Sequence, residues 1–339
     1  MTAGPRGGTE ILTTSGHRIR RATPDDLPTC AAIWRESLND YLGRLAQPEI
    51  PDDLASLLRL YGHLHATDPT TFLVAAAPEA RPSGDGTGEP ALIDAFVVVV
   101  RRDDLWYLSM LFVRPAAQAR GLGRALLAAV APEGSSDSSA SVTRATSTDT
   151  AQPISNGLYA SLGMVPRIPL LRLVGLPTRD GGFGPLPAGV EAIAFAEVGD
   201  AGDGLGRSAL AAELDALDRD AAGFSRTADH RFHAREGRIG FLFRDRGGRA
   251  VAYGYSSEAG RVGPIAVREA ALLGPVVGHL VHEVRPRGAF GLWVPGTAGE
   301  AVVPLLRAGF RFDGFPVLLC WDRPFADFSR YIPMSPGLL

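Results

Sequence analysis

At 339 residues the chain is long for one ordinary domain, and two domains is the organisation its length favours. An apolar share of 45% is ample for buried cores, 21% charged residues fit a soluble globular protein, and a net charge of −3 argues against a basic nucleic-acid surface. No stretch is apolar for long enough to span a bilayer, the first residues lack the apolar core of a signal peptide, and Cys30 and Cys320 stand too far apart in sequence to suggest a disulfide framework or a Cys-based metal site. A cytoplasmic protein without nucleic-acid or membrane partners is the expectation.

In chain order, residues 1–16 are small and polar and read as a disordered tail. His17–Ala22 reads as a short strand. Thr23-Pro24-Asp25-Asp26 then signals a helix start, with a capping hydroxyl, proline in the first turn and carboxylates facing the dipole. Leu27, Cys30, Ala31, Trp34 and Leu38 follow at helical spacing. Pro51-Asp52-Asp53 opens a second helix with the stripe Leu54, Leu57, Leu58 and Tyr61. Thr71–Ala77, Ala91–Arg101 and Leu105–Val113 read as strands, and the apolar runs of the last two predict burial on each face. Pro82–Pro90 reads as an exposed loop and Gly134–Ser141 as a Ser-rich one. Val142–Ser147 reads as a strand, Pro153 opens a helix carrying Ile154, Leu158 and Leu162 that Gly163 ends, and Ile168–Val174 is a further strand.

The chemistry gathers in Leu111–Leu127. A strand ending at Val113 feeds a loop, Gln118-Ala119-Arg120-Gly121-Leu122-Gly123, which opens directly into a helix from Leu122 to about Val130. Glycines there let backbone N–H groups approach a ligand, and the helix points its positive end at the same spot, so the stretch is an anion site suited to a phosphate or diphosphate. A dinucleotide fingerprint needs a third glycine where Leu126 stands, and a nucleotide P-loop needs a Gly-Lys-Ser/Thr that does not follow Gly123.

Val113-x-Pro115 followed by Gln118-x-x-Gly121-x-Gly123 resembles the acyl-coenzyme A loop of the GNAT N-acetyltransferases, matching it at each position and in spacing. Leu158-Tyr159-Ala160-Ser161-Leu162-Gly163-Met164 is similar to the same family's L-Y-x-x-x-G-F segment, with Met164 in the aromatic position. Gln152, rather than Asn156, lies nearest the place of the family's helix-opening asparagine. The resemblance implies an α/β (α+β) fold, a mixed, mostly antiparallel sheet flanked by helices, with acetyl-CoA as co-substrate. It implies that Gln118, Ala119, Arg120, Gly121, Leu122, Gly123 and Arg124 hold the diphosphate, and that Leu111, Phe112 and Val113 pair with the pantetheine arm. It implies further that a backbone N–H near Leu111 faces the thioester oxygen and that Tyr159 protonates the departing thiolate.

Leu176–Gly189 is rich in Pro and Gly, and after it a similar order recurs. Val190–Ala196 reads as a strand, Arg207–Leu217 as a helix, and Ile239–Arg244, Ala250–Ser256 and Arg261–Val267 as strands. Leu272–Val284 reads as a helix, Ala289–Val294 as a strand, Ala298–Ala308 as a helix and Phe315–Trp321 as a final strand. Val267 takes the place of Val113 without a Gly-x-Gly loop after it, and Leu305 takes the place of Tyr159. The chain therefore reads as two tandem GNAT folds: a tail at 1–16, a catalytic domain at 17–175, a linker at 176–188, a degenerate domain at 189–325 and a tail at 326–339. The second half also resembles the C-terminal domains of holothin-acyltransferase-type proteins, at Tyr253-Gly254-Tyr255 and Gly263-Pro264.

No carboxylate lies on the central strand, where Tyr107-Leu108-Ser109-Met110 stands, so Glu36, Asp40 or Asp94 are the candidates for a general base. The pairs His279/His282 and His230/His233 are three apart rather than four, and His63 and His65 two apart. They read as surface or capping residues rather than metal ligands. The function expected is acetyl-CoA-dependent transfer to a primary amine of a small molecule in a ternary complex, by a monomer or homodimer. The alternatives are a protein or peptide N-acetyltransferase and a non-catalytic acyl-CoA-binding module.

Overall fold

The structure, a computed structural model, describes residues 11–78, 92–132, 142–177, 182–198 and 205–339. The loops expected at 82–90 and 134–141, residues 1–10 of the expected tail and 178–181 of the expected linker lie outside the described residues. The chain packs as two units, one of residues 1–101 with 106–142 and one of residues 102–105 with 143–339.

In the first unit, strand β1 (Ile11–Leu12) pairs antiparallel with β2 (Arg18–Arg21), so residues 11–16 form a hairpin rather than a tail. The turn closes because the Thr13 amide donates to the His17 carbonyl and its hydroxyl accepts from the His17 amide, both at 2.9 Å. Asp26 then organises the helix start. Its carboxylate accepts from the Thr23 amide at 2.7 Å, the Thr23 hydroxyl at 2.9 Å and Arg20 at 2.6 Å. Burial opposes ionisation of Asp26, but these Arg20 and Thr23 bonds outweigh it and hold the pKa below the usual value. One 3-10 turn leads into helix α1 (Leu27–Arg44), and α2 (Ala55–Thr67) starts where Asp53 accepts from the Ala55 amide.

Strands β3 (Phe72–Ala76), β4 (Ile93–Arg102) and β5 (Leu105–Val113) continue the order β1-β2-β3-β4-β5. All of β3, and β4 up to Val100, are buried, as the unbroken apolar runs require. Tyr61 of α2 meets Phe72 and Phe96 edge-on at 5.9 and 5.6 Å. Helix α3 (Leu122–Val130) buries Leu122, Leu126, Leu127 and Val130.

The second unit holds β6 (Thr143–Asp149), helix α4 (Pro153–Ser161), β7 (Val165–Gly175), β8 (Glu191–Ala194), α5 (Leu205–Ala221) and α6 (Thr227–Arg235). Then come β9 (Ile239–Arg244), β10 (Ala250–Ser256), β11 (Ile265–Val267), α7 (Leu273–Glu283), β12 (Phe290–Pro295), α8 (Gly299–Arg307), β13 (Arg311–Phe312), β14 (Val317–Trp321) and β15 (Tyr331–Ile332). The strands order as β6-β14-β7-β12, with β13 also on β7, and as β15-β11-β10-β9-β8. An apolar core runs between α7, α8 and the strands, through Phe243, Val267, Val277, Leu280, Phe290 and Leu305.

Four features of this unit depart from the sequence expectations. First, β14 inserts between β6 and β7, antiparallel to both, with Leu319 opposite Ser147 and Ile168. The last strand expected of the second half thus pairs with strands from the first. Second, residues 326–339 are not a tail: β15 pairs with β11, and Phe328, Tyr331, Ile332, Leu338 and Leu339 are buried. Third, α6 was not expected, because its sequence is mostly polar; burial of Phe232, His233 and Asp229, with Arg102 on Asp229 at 2.7 Å, makes it a helix. The stripe expected on α4 is also displaced, since Ile154 is 69% exposed and Tyr159 is the buried residue. No helix among the described residues is long and apolar enough to cross a membrane.

A polar network is buried among α5, α6, β10 and β15. Fully buried Arg226 donates to Asp218 at 3.3 Å, to Tyr253 at 2.6 Å, to Tyr331 and to the Leu339 carbonyl. His230 bridges Asp218 at 2.7 Å and Tyr255 at 2.8 Å. His233 is fully buried with neither ring nitrogen hydrogen-bonded, contrary to the surface role expected of it. Burial, reinforced by Arg238 and Arg226, drives its pKa well below 6.5 and keeps it neutral.

Because the unfolded chain takes up this proton near pH 6.5 and the folded chain does not, stability should fall as pH drops below about 6.5. Urea denaturation at pH 7.0 and 5.0 checks this. His233→Leu should lose less stability over that interval than the unsubstituted chain, and an equal loss would clear His233 of the effect.

Candidate functional site

Strand β5 leaves the sheet at Val113, and the next peptide is gripped on both sides. The Val113 carbonyl accepts from the Ser37 hydroxyl at 3.0 Å and the Gln118 side-chain amide at 3.1 Å, while the Arg114 amide donates to the Asp94 carbonyl at 2.8 Å. One 3-10 turn, Pro115–Ala117, follows. Ala119 then adopts φ 63° and Gly121 φ 78°, and α3 begins. A non-glycine residue in the left-handed region costs roughly 1 kcal/mol and marks a loop shaped by something other than its own stability.

No backbone carbonyl among the described residues accepts from the amides of residues 119–124. Those of Leu122, Gly123 and Arg124 are the unsatisfied donors of a helix's first turn, where the positive end of the dipole also lies. Gln118, Ala119, Arg120, Gly121 and Arg124 are exposed, and buried Leu122 anchors the loop. Arg120 and Arg124 have no ion-pair partner among the described residues. A row of amides and two guanidinium groups, unpaired among the described residues and set at a helix N-terminus, have the charge and donors to suit a dianionic group such as a diphosphate. Behind the loop, half-buried Phe112 stacks on Phe96 at 5.7 Å and meets Trp34 edge-on at 6.5 Å.

The structure thus brings together Leu111, Phe112, Val113 and residues 118–124, with one change of role: the Gln118 amide turns inward and closes the loop. Tyr159 lies in the other unit, 5% exposed, its hydroxyl bonded to Ser155. Burial, and then the neighbouring Cys320 thiol, push its pKa well above the ordinary tyrosine value, so it stays protonated. None of the expected carboxylates stands alone. Glu36 pairs with Arg114 at 2.5 Å, Asp40 with Arg44, and Asp94 with His17 at 3.0 Å and Arg114 at 3.7 Å. Gln152 caps α4 by accepting from the Ile154 amide, and Asn156 staples the turn before it by donating to the carbonyls of Asp149 and Gln152. Ser37 and Arg114 were not singled out in the sequence. Nothing in the spacing tells that Ser37 meets the end of a strand so distant in the chain, or that Arg114 meets Glu36 and Asp94.

Residues 93–166 match the family model of the acetyltransferase (GNAT) domain. A candidate acetyltransferase from Pyrococcus horikoshii superposes with TM-score 0.69 at 14% identity, over 98% of this chain and 99% of that one. A GCN5-related N-acetyltransferase from Sphaerobacter thermophilus does so with TM-score 0.56 at 18%, over 94% and 100%. A tandem GNAT protein from the clavulanic acid biosynthesis pathway does so with TM-score 0.51 at 15%, over 91% and 99%. The chain carries a GNAT domain in a tandem-GNAT fold. Among curated protein sequences, none matches it.

The second half of the tandem lacks this donor set. Strand β11 ends at Val267 as β5 ends at Val113, but its free edge is covered: Ile265 lies opposite Ile332, Ala266 opposite Tyr331, and the Val267 amide donates to the Arg330 carbonyl at 3.0 Å. Gly274, at the start of α7, serves packing instead, since a Cβ there would lie 2.9 Å from the Glu300 carbonyl oxygen. Leu305 is fully buried, with no polar group to offer.

The two glycines of the GNAT loop should respond differently to alanine. At Gly121 the left-handed backbone makes Gly121→Ala cost about 1 kcal/mol. At Gly123 the new methyl finds ordinary contacts, 3.9 Å from Leu111 and 4.0 Å from Val113, and the backbone is helical, so Gly123→Ala should leave the melting temperature unchanged or raised. Thermal denaturation of both variants checks the ordering.

Proposed function

We propose that the protein is an acetyl-CoA-dependent N-acetyltransferase that moves an acetyl group directly to a primary amine of a small molecule in a ternary complex. The observation that carries this is the row of amides at 119–124 on the N-terminus of α3 that have no backbone acceptor among the described residues, flanked by the guanidinium groups of Arg120 and Arg124, which pair with no carboxylate among them. That donor set fits a diphosphate in charge and in hydrogen bonding. On this reading the backbone of Leu111, Phe112 and Val113 pairs with the pantetheine arm, and the coenzyme supplies an activated thioester.

The acceptor nitrogen attacks the thioester carbonyl as the neutral amine. The C–N bond forms, the C–S bond breaks, and the amine loses one proton. An N–H near Leu111 stabilises the oxyanion between the two events, and Tyr159, held protonated, supplies the proton for the departing thiolate. Direct transfer is favoured over an acyl-cysteine intermediate because Cys30 and Cys320 are both buried. Burial is the leading cause that pushes each thiol up to about 12. With Glu36, Asp40 and Asp94 all in ion pairs, the acceptor's ammonium form gives one proton to solvent before attack. The nitrogen releases a second to solvent as the C–S bond breaks, and Tyr159 regains from solvent the proton it gave the thiolate. kcat/KM should therefore follow the neutral fraction of the acceptor as pH rises.

The pairing of β11 with β15 supports a single donor site per chain. Calorimetric titration with coenzyme A should give a stoichiometry of one, and replacing Arg120 and Arg124 together by alanine should weaken binding by about ten- to a hundredfold. A stoichiometry of two would refute the degenerate reading of the second half. Tyr159→Phe should lower kcat at least a hundredfold with coenzyme affinity unchanged.

The deep burial of Tyr159 favours a second reading, a non-catalytic acyl-CoA-binding module. Thiol release from acetyl-CoA across a panel of amino acids, aminoglycosides, polyamines and peptides separates the two. Tight coenzyme binding without release from any acceptor would leave only the module.

A further inference from the structure

We infer that Arg114 is a positioning residue for the acyl-donor loop, acting with Asp94 and Glu36 to fix where the chain leaves β5. The inference rests on the donor reading above and deepens it. Arg114 joins three elements at one point. Its main-chain amide donates to the Asp94 carbonyl at 2.8 Å, its guanidinium reaches the Ile93 carbonyl at 3.4 Å through two nitrogens, and it pairs with Glu36 of α1 at 2.5 Å and with the Asp94 carboxylate at 3.7 Å. Asp94 is itself held by buried His17 at 3.0 Å, and His17 by the Ser15 hydroxyl at 3.0 Å. A continuous polar chain therefore runs from the N-terminal hairpin through β4 to the exit of β5.

Two observations separate positioning from ligand binding. Arg114 is neutralised by two carboxylates, whereas Arg120 and Arg124 pair with none among the described residues, so the charge available to a phosphate sits on the latter pair. And both atoms of the peptide between Val113 and Arg114 are already bonded, the carbonyl to Ser37 and Gln118 and the amide to Asp94. The free amides begin only at residue 119, so their direction is inherited from this clamped peptide. A displacement of about an ångström there would misalign the whole row, and donor geometry tolerates little of that.

The test uses the full-length chain and coenzyme A. Arg114→Met keeps the aliphatic stem and removes the charge, Arg114→Lys restores the charge without the fork, and Glu36→Gln removes an exposed partner without disturbing the core. By calorimetry, Arg114→Met should raise the Kd for coenzyme A about tenfold, Glu36→Gln about threefold, and Arg114→Lys should recover part of the loss. KM for acetyl-CoA should rise in step while kcat changes less than threefold. The slope of log Kd against log salt should match that of the unsubstituted protein, whereas Arg120→Ala, which removes a direct charge on the ligand, should flatten it.

If Arg114→Met fails to fold, Glu36→Gln decides. Folded variants that bind within twofold of the unsubstituted protein would overturn the positioning role, and a flattened salt slope in Arg114→Met would overturn it in favour of direct contact. Absence of coenzyme binding by the unsubstituted protein would instead overturn the donor reading itself, and this inference with it.

Discussion

Most backbone amides of a folded protein find an acceptor within the protein, so a run of them that has none among the described residues defines what the surrounding structure must do. In this chain the run is 119–124, where a tightly turned loop meets the N-terminus of α3. The clamp on the peptide after Val113, the left-handed backbone at Ala119 and Gly121, and the buried anchor Leu122 all keep those donors facing outward. Of the ten residues that the loop's resemblance assigns to the coenzyme, seven would act through main chain alone and leave any side chain free to pack: Leu111, Phe112, Val113, Ala119, Gly121, Leu122 and Gly123. Phe112 uses that freedom to join the ring cluster with Phe96 and Trp34.

In the second half of the tandem the edge of β11 is closed from within the chain. An uncovered edge invites pairing with another extended chain, and an acyl carrier's amide-bearing arm is one such partner. In the second half β15 satisfies that edge from within the chain, through Ile332 and Tyr331 on Ile265 and Ala266. The same C-terminal segment buries Leu338 and Leu339, with Arg226 donating to the Leu339 carbonyl. Strand β14 in turn fills the space between β6 and β7. Residues past 315 therefore complete sheets on both sides of themselves.

Burying Arg226 and Asp218 together with three tyrosines is an expensive way to hold α5 and α6 on β10, since a buried ion pair gains little over apolar packing of the same shape. Its members are satisfied by one another, which is what makes it tolerable: Tyr253 serves both charges, and His230 ties Asp218 to Tyr255. His233 is the exception, and its neutrality is the cost the cluster imposes on a ring that has no partner.

The sequence alone determined the local elements and the chemistry of the loop. Helix starts at Thr23 and Pro153, the apolar runs of β4 and β5, and the Gly121-x-Gly123 turn into α3 are all set by interactions within a few residues, so their spacing is legible without a fold. What only the tertiary structure decided are the contacts between distant residues. Ser37 on the Val113 carbonyl, Asp94 under Arg114, β14 between β6 and β7, and the order of the C-terminal segment all depend on which surfaces meet, and no local pattern encodes that. The same reason explains the helix at Thr227–Arg235, polar in sequence and fixed only by what covers it. It also explains why Tyr159, rather than the leucines around it, faces the interior: hydrophobicity ranks residues, but the neighbouring strands choose the face.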